Sequence, residues 1–429
     1  MADLHTTGFA SLRAGAGDGD RVYLLVGVER FHWTVALPHQ SAQFHHGTWP
    51  AGFSKPADID MESVDGSLHR IYHPDHHRIF LRTENLHSRH QTDGLKRIMK
   101  VAFAGTGYIN KIHAQSAQNL GLELTAVVNH SPDSMAEFGK RFNITRRYEN
   151  IDLMLKDGDV EALVVSTPNY LHASQTIAAL KAGIHVMVEK PMAMNAQEAE
   201  RMCVAADTSG AILMVAHCWR FDPDVLWLKR ESKKLGGIIR TKSYGVHTHW
   251  GPGGWFTQKE FAGGGAMADM GIHALDTARF LLGDPGPVSV YAKIGTYYKN
   301  FDVDDTGVMI VEWDNGATSY IESGWWQPHA DGPEAATQLY GIQGFGQLFP
   351  TKLELPNEKE GKIDMIESGF QFPRTEHCPQ SLYDEQLKYF IQCIEKRETP
   401  VPGGLEGLVN MRVVDAAYES SRTGKVVKI

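Results

Sequence analysis

The chain has 429 residues, 42% of them hydrophobic and 22% charged, with a formal net charge of −9. These are the proportions of a globular chain long enough for two ordinary domains. The acidic balance argues against a nucleic-acid partner. No apolar run approaches the ~20 residues of a membrane span. The four scattered cysteines, with no C-x-x-C pair, fit a reducing, cytoplasmic compartment.

Residues 1–98 hold eleven of the 21 histidines and show no sustained helical or strand periodicity. The longest apolar run there, VYLLVGV at 22–28, is too short and too poorly flanked for a secretory signal. His73, Asp75, His76 and His77 have metal-ligand chemistry. The preferred reading is nonetheless a disordered leader or non-native extension. MKVAFAG from Met99 reads like a natural N-terminus that opens directly into a first strand.

From residue 100 strand-length apolar runs recur: KVAFA, LELTAVVN, EALVVSTP, HVMVEKP and AILMVAHCW. Helical stretches separate them, one capped by Ser131 before Pro132 and others ending at Gly183 and Gly210. Strands with little polar alternation, spaced by helices, predict a parallel sheet buried on both faces. The rhythm changes near residue 220. Longer alternating runs such as PVSVYAKIGTYY, DTGVMIVEW and ATSYIESGWW predict a mostly antiparallel sheet. One helix, MADMGIHALDTARFLLG, interrupts them, and two amphipathic helices close the chain. The expected fold class is α/β. A doubly wound dinucleotide domain at 99–219 is followed by an α+β domain at 220–429 with a large open sheet.

Gly105-Thr106-Gly107 lies between the first strand and the first helix, where a tight turn lets backbone approach a pyrophosphate at a helix N-terminus. Two glycines alone are a weak signal; their place at the head of a βαβαβ series strengthens it. The third fingerprint position is Asn110. The second strand ends in Asn129, His130 and Ser131, with no carboxylate to hold a ribose 2′-hydroxyl, so NADP is at least as plausible as NAD.

Glu189, Lys190 and Pro191 end the fifth run, on the sheet edge where ligands bind. A lysine there can stabilise a developing alkoxide; the plain alternative is a solvated loop lysine. Asp269, His273 and Asp276 fall at i, i+4 and i+7 on one helix face. Asp269 can orient His273 as a general base, or merely cap the helix, while His273 can be a satisfied core histidine. For Asp276 the preferred reading is an ion pair with Arg279. No third ligand accompanies them, so no metal is expected.

The glycine turn, STPNYLH, EKP, WRFDP, GGGAMADMGIHALD and VVDAAYESSRTGKVV together resemble the Gfo/Idh/MocA oxidoreductases over about residues 99–429. Residues 1–98 have no counterpart in that resemblance. It implies NAD(P) as cofactor, and Lys190, Asp269 and His273 as the catalytic lysine, aspartate and histidine. It implies a cis Lys190–Pro191 bond and an open sheet that forms a homodimer or homotetramer interface. Thr167, Pro168, Asn169 and His172 match positions bordering the nicotinamide, and Arg220 matches an arginine near cofactor and substrate. Tyr108, Ile109 and Glu189 join the expected cofactor set. Sugars, inositols and related polyols are the implied substrates. Trp255, within HTHWGPGGWF, is the aromatic expected to pack on a sugar ring. Trp325 and Trp326 serve either that role or core or interface packing. Two other functions compete: a glycoside-processing enzyme using tightly held NAD without net redox change, and a non-catalytic nucleotide-binding regulator.

Overall fold

The computed structural model describes residues 23–24, 60–64, 68–73, 76–82, 98–329, 334–371 and 378–429, in two compact units, Met1–Lys96 and Arg97–Ile429. In the first unit β1 (Tyr23–Leu24), β2 (Asp60–Val64), β3 (Leu68–His73) and β4 (His76–Arg82) form an antiparallel sheet ordered β1-β4-β3-β2. Strands therefore occur where no sustained periodicity was read. The turn-forming dipeptides Asp65-Gly66 and Pro74-Asp75 fall between them in the sequence. Asp75 lies outside the described residues, as do the rest of the leader and the side chains on which the metal reading of His73, Asp75, His76 and His77 turns.

The second unit begins with the expected doubly wound sheet. In chain order it contains β5 (Lys100–Ala104), α1 (Tyr108–Asn119), β6 (Glu123–Val128), α2 (Pro132–Phe142), β7 (Arg146–Tyr148) and α3 (Ile151–Asp157). Then come β8 (Ala162–Val165), α4 (Asn169–Lys181), β9 (His185–Glu189), α5 (Ala196–Ser209) and β10 (Leu213–Ala216). The sheet order is β10-β9-β8-β5-β6-β7, and every pair is parallel. The chain leaves β5 on one side and returns on the other, so the topological switch point lies at the C-terminal end of β5. Val101 to Ala104 and Ala162 to Val165 are buried throughout, as strands covered on both faces must be. Ser131 caps α2, accepting from the Ser134 amide, with Pro132 in its first turn.

A 3₁₀ turn (Cys218–Phe221) leads through α6 (Pro223–Glu231), β11 (Ile238–Thr248), α7 (Lys259–Ala262), a π-helical turn (Met267–Gly271) and α8 (Ile272–Leu282). There follow β12 (Pro287–Gly295), β13 (Thr306–Trp313), β14 (Thr318–Gln327), β15 (Ala335–Gly341), β16 (Gly344–Gln347), β17 (Lys352–Asn357) and β18 (Lys362–Glu367). Helices α9 (Gln380–Lys396) and α10 (Gly404–Thr423) precede β19 (Val427–Lys428). The nine-stranded sheet runs β18-β17-β16-β15-β11-β14-β13-β12-β19, antiparallel except for β11 against β14. Alternation along β13 and β14 buries Met309, Val311 and Ile321 in one core with Ile272 and Leu275 of α8. The opposite face carries a cross-strand row, Tyr291, Ile310, Tyr320, Lys242 and Gln338. Tyr291 and Ile310 on it are exposed.

The boundary expected at 219/220 is crossed by the end of the chain. Leu387, Phe390, Ile391 and Ile394 of α9 share a core with Val101, Phe103, Val164 and Met214 of the parallel sheet. Asn119 and Gln380 also tie α1 to α9 by hydrogen bonds. An amphipathic helix read near a C-terminus says which face it buries, not which domain receives it.

Candidate functional site

At the switch point Gly105 has φ +99°, and a Cβ there would lie 2.7 Å from the Ser166 carbonyl oxygen, so the turn requires glycine. Gly107 is the N-cap of α1, and a Cβ on it would meet nothing within 4 Å. No acidic residue occupies the first turn and no side chain caps it. The free N–H groups of a twelve-residue helix thus open on space where a pyrophosphate fits. Asn110 does not open the turn as a third glycine would. It is fully buried, and its amide donates to the carbonyls of Ala104 (2.9 Å) and Gly105 (2.8 Å), bracing the turn from within. Asn129 donates to the Thr106 hydroxyl, which brings the end of β6 to the glycine turn. His130 is exposed beside it and Ser131 is occupied as a helix cap. Tyr108 is exposed, whereas Ile109 packs on the cluster around Trp219.

At the end of β9, Lys190 Nζ donates to Asp269 Oδ1 at 2.6 Å and to the Asp269 carbonyl at 3.3 Å. Both side chains are largely buried. Burial pulls the Lys190 pKa down, and the adjoining Asp269 carboxylate overrides this and raises it. Burial likewise pushes Asp269 up, and the lysine charge returns it below the usual carboxyl range. The pair is therefore ionised. The Lys190–Pro191 peptide is cis. Burial, then the lysine charge, push the His273 pKa well below its ordinary 6.5, so this imidazole is neutral near pH 7 with a lone pair to offer.

Asp269 makes its hydrogen bonds to Lys190 and Trp325, whose Nε1 donates to Oδ2 at 3.0 Å, and none is recorded to His273. The expected i, i+4 alignment assumed a regular α-helix. Met267–Gly271 is a π-helical turn, which changes the angular offset between positions 269 and 273. Asp304 fixes that turn, accepting from the amides of Gly265 and Met267 at 2.8 Å each. A cavity of ≈ 670 Å³ adjoins the turn through Pro191 and Ala268, yet neither Lys190, Asp269 nor His273 lines it. His273 borders a smaller pocket with Trp219, Tyr244 and Phe349.

Several expected cofactor or substrate contacts have other partners. Arg220 is buried, and its guanidinium forks onto both oxygens of Asp276 (2.8 Å each) and both of Asp284 (3.1 and 2.7 Å). This also corrects the Asp276–Arg279 pairing, since Arg279 bonds the carbonyls of Asp284 and Pro285. A guanidinium reaching across 56 residues offers a bidentate match that the i+3 neighbour does not. Asn169 donates to the Ala262 carbonyl, and the Thr167 hydroxyl to Gln175. The His172 ring spans the carbonyls of Thr167 and Pro191. These residues shape the loop beside Lys190 from behind, leaving Pro168 half-buried at its surface. Glu189 is buried between His113 Nε2 (2.7 Å) and the Lys190 amide (3.1 Å), coupling α1 to the end of β9. Trp255 stacks on Phe256 with ring centroids 3.8 Å apart, and no contact to the Lys190 centre is recorded.

Two neighbours of this centre, His113 and His247, were missed, and of the two readings of Trp325 the core one holds. His247 lies close enough for its pKa, lowered chiefly by burial, to respond to Asp269 and Lys190. Its only sequence signal was membership of an aromatic stretch. Trp325 is 0% exposed, so its ring has no free face for a sugar.

Comparison with known proteins agrees with this architecture. Residues 99–217 match the model of an oxidoreductase family with an NAD-binding Rossmann fold, and residues 204–345 match the GFO/IDH/MocA C-terminal domain. The chain is similar to D-glucoside 3-dehydrogenase of Escherichia coli (strain K12), at 27% identity over 77% of this chain and 97% of that protein. It is also similar to a putative UDP-kanosamine synthase oxidoreductase subunit of Amycolatopsis mediterranei (strain S699), at 32% identity over 59% of this chain and 75% of that protein. Among solved structures, levoglucosan dehydrogenase in complex with NADH superposes with a TM-score of 0.70 at 22% identity. That match covers 78% of this chain and 99% of the other.

Proposed function

Because the chain belongs to the Gfo/Idh/MocA oxidoreductase family, we propose that it is an NAD(P)-dependent dehydrogenase or reductase acting on a sugar or polyol hydroxyl. The observation that carries this reading is the Lys190 ammonium. It has three N–H donors, and two are directed at Asp269. The third remains for a substrate oxygen, in a buried setting where a fixed positive charge acts strongly.

Gly105, Thr106, Gly107 and the N-terminus of α1 would hold the pyrophosphate, and Thr106 with Asn129 a ribose. The Thr167–Pro168 loop would border the nicotinamide. With no carboxylate at 129–131 to repel a 2′-phosphate, the site accepts NADP at least as readily as NAD. When bound, the nicotinamide supplies a two-electron acceptor. Neutral His273 takes the proton from the substrate hydroxyl, and Lys190 stabilises the alkoxide as the carbon–hydrogen bond breaks. Asp269 holds Lys190 in place and keeps it charged.

A homodimer or homotetramer built on the uncovered face of the nine-stranded sheet is part of this proposal. So is a cytoplasmic location, which rests on four cysteines that are all unbridged thiols. Among the described residues no helix is long and apolar enough to cross a membrane. No observation favours a glycoside-processing enzyme, and the presence of Lys190, Asp269 and His273 together speaks against a non-catalytic regulator.

The test is the near-ultraviolet absorbance of reduced nicotinamide, followed with D-glucose, D-xylose and myo-inositol and with NAD or NADP. Lys190→Ala or His273→Ala should lower turnover at least about a hundredfold while cofactor binding is nearly unchanged. Full activity in both variants would remove the mechanism.

A further inference from the structure

Trp325 continues a buried run along β14, Ser319, Ile321 and Ser323, that faces the core. Its register partner on β11 is His247, and the next pair is Thr248 with Gln327. Trp326 is therefore an extra residue, a bulge with φ +60° in the left-handed region. The backbone is pinned on both sides of it. The Trp325 amide donates to the Asp305 carbonyl and the Trp326 amide to the Trp250 carbonyl, at 2.7 Å each. Lys299 sits 4.2 Å above the Trp326 ring. These contacts hold the Trp325 indole in one place, and its N–H has one recorded acceptor, Asp269 Oδ2.

We propose that Trp325 is a positioning residue of the reaction centre, its indole N–H holding one oxygen of Asp269 so that the other stays directed at Lys190. This rests on the dehydrogenase reading above. A carboxylate held by one donor can rotate about its terminal torsion. Held by two donors from two elements, a neutral one on β14 and a charged one at the end of β9, it cannot. The ammonium it anchors then keeps its third donor aimed at substrate. Removing the indole N–H leaves a buried carboxylate oxygen without its partner and weakens the preference for the ionised form.

Trp325→Phe keeps most of the ring and deletes the donor. In the full-length protein with NAD or NADP, whichever it uses, turnover should fall about tenfold, as for loss of a hydrogen bond to a charged group. Cofactor affinity should be unchanged, and the acid limb of the turnover profile should move to higher pH. A packing role alone would not move that limb. An unchanged rate and profile in the folded variant would overturn the proposal. A second measurement needs no substrate. The indole N–H resonance of Trp325, assigned by its disappearance in Trp325→Phe, should shift in Asp269→Asn; if Trp325→Phe does not fold, Trp325→His supplies the assignment. An unmoved resonance would also overturn the proposal. Wild-type protein that reduces neither cofactor with any of the three polyols would defeat the dehydrogenase reading and leave the indole–carboxylate coupling to the resonance experiment.

Discussion

His172, His185, His217, His247 and His273 all have pKa values held below the ordinary 6.5, in every case first by burial. Unfolding returns them to about 6.5, so between each depressed value and pH 6.5 the unfolded chain binds more protons than the folded one. Stability therefore falls as pH drops below about 6.5 and is level above it. For the fully buried His172 and His217 the slope is up to about 1.4 kcal/mol per pH unit each. Asp304 and Asp415 shift upward and act in the opposite sense, but they are two carboxyls against five imidazoles. The expected outcome is a thermal midpoint that drops clearly between pH 7.5 and 5.5; an unchanged midpoint would contradict it. Lys190, Asp269 and His273 were legible as candidates from motif and resemblance. The partners of Asp269 were not. A tryptophan 56 positions away leaves no local trace, and an aromatic pair reads equally well as core or as sugar platform.

Among the elements, the junction between β10 and α8 is held by charge. Arg220 leaves the 3₁₀ turn after β10 and clamps Asp276 on α8 and Asp284 just beyond it, while Asn410 of α10 donates to Asp276 at 2.8 Å. Burial pushes the Asp276 carboxyl up, and the arginine charge brings it far below the normal range. Arg220→Ala would leave a buried carboxylate without its counter-ion and should cost about 3–5 kcal/mol. Denaturant titration reads this directly. Were Arg220 a cofactor contact instead, cofactor affinity would weaken while stability stayed the same. The parallel strands and their helices were readable because periodicity and turn residues are local. The π-helical turn was not, because its sequence has the same apolar pattern as an α-helix and Asp304, which fixes it, lies 37 residues from Met267.

At the scale of the molecule, the nine-stranded sheet has, among the described residues, helices on one face only. The uncovered row from Tyr291 through Ile310 and Tyr320 mixes aromatic and aliphatic side chains with Lys242 and Gln338, a surface suited to burial against a second copy. Ile310→Lys, on a position already 43% exposed, should leave the fold intact and convert the proposed oligomer to smaller species. Light scattering after gel filtration measures this, and an unchanged mass would exclude that face as the contact. The existence of the sheet was evident from alternation, but the way the chain folds back was not. Helix α9 completes the core of a sheet whose strands ended at Ala216, some 160 residues earlier, and Asn119 finds its partner Asp384 across 265 residues. During synthesis, then, the core around Val164, Met187 and Met214 lacks its last helix until almost the whole protein has left the ribosome. A ribosome stalled anywhere before residue 380 would display an apolar, half-finished sheet, and that nascent chain is the form of this protein most in need of a chaperone.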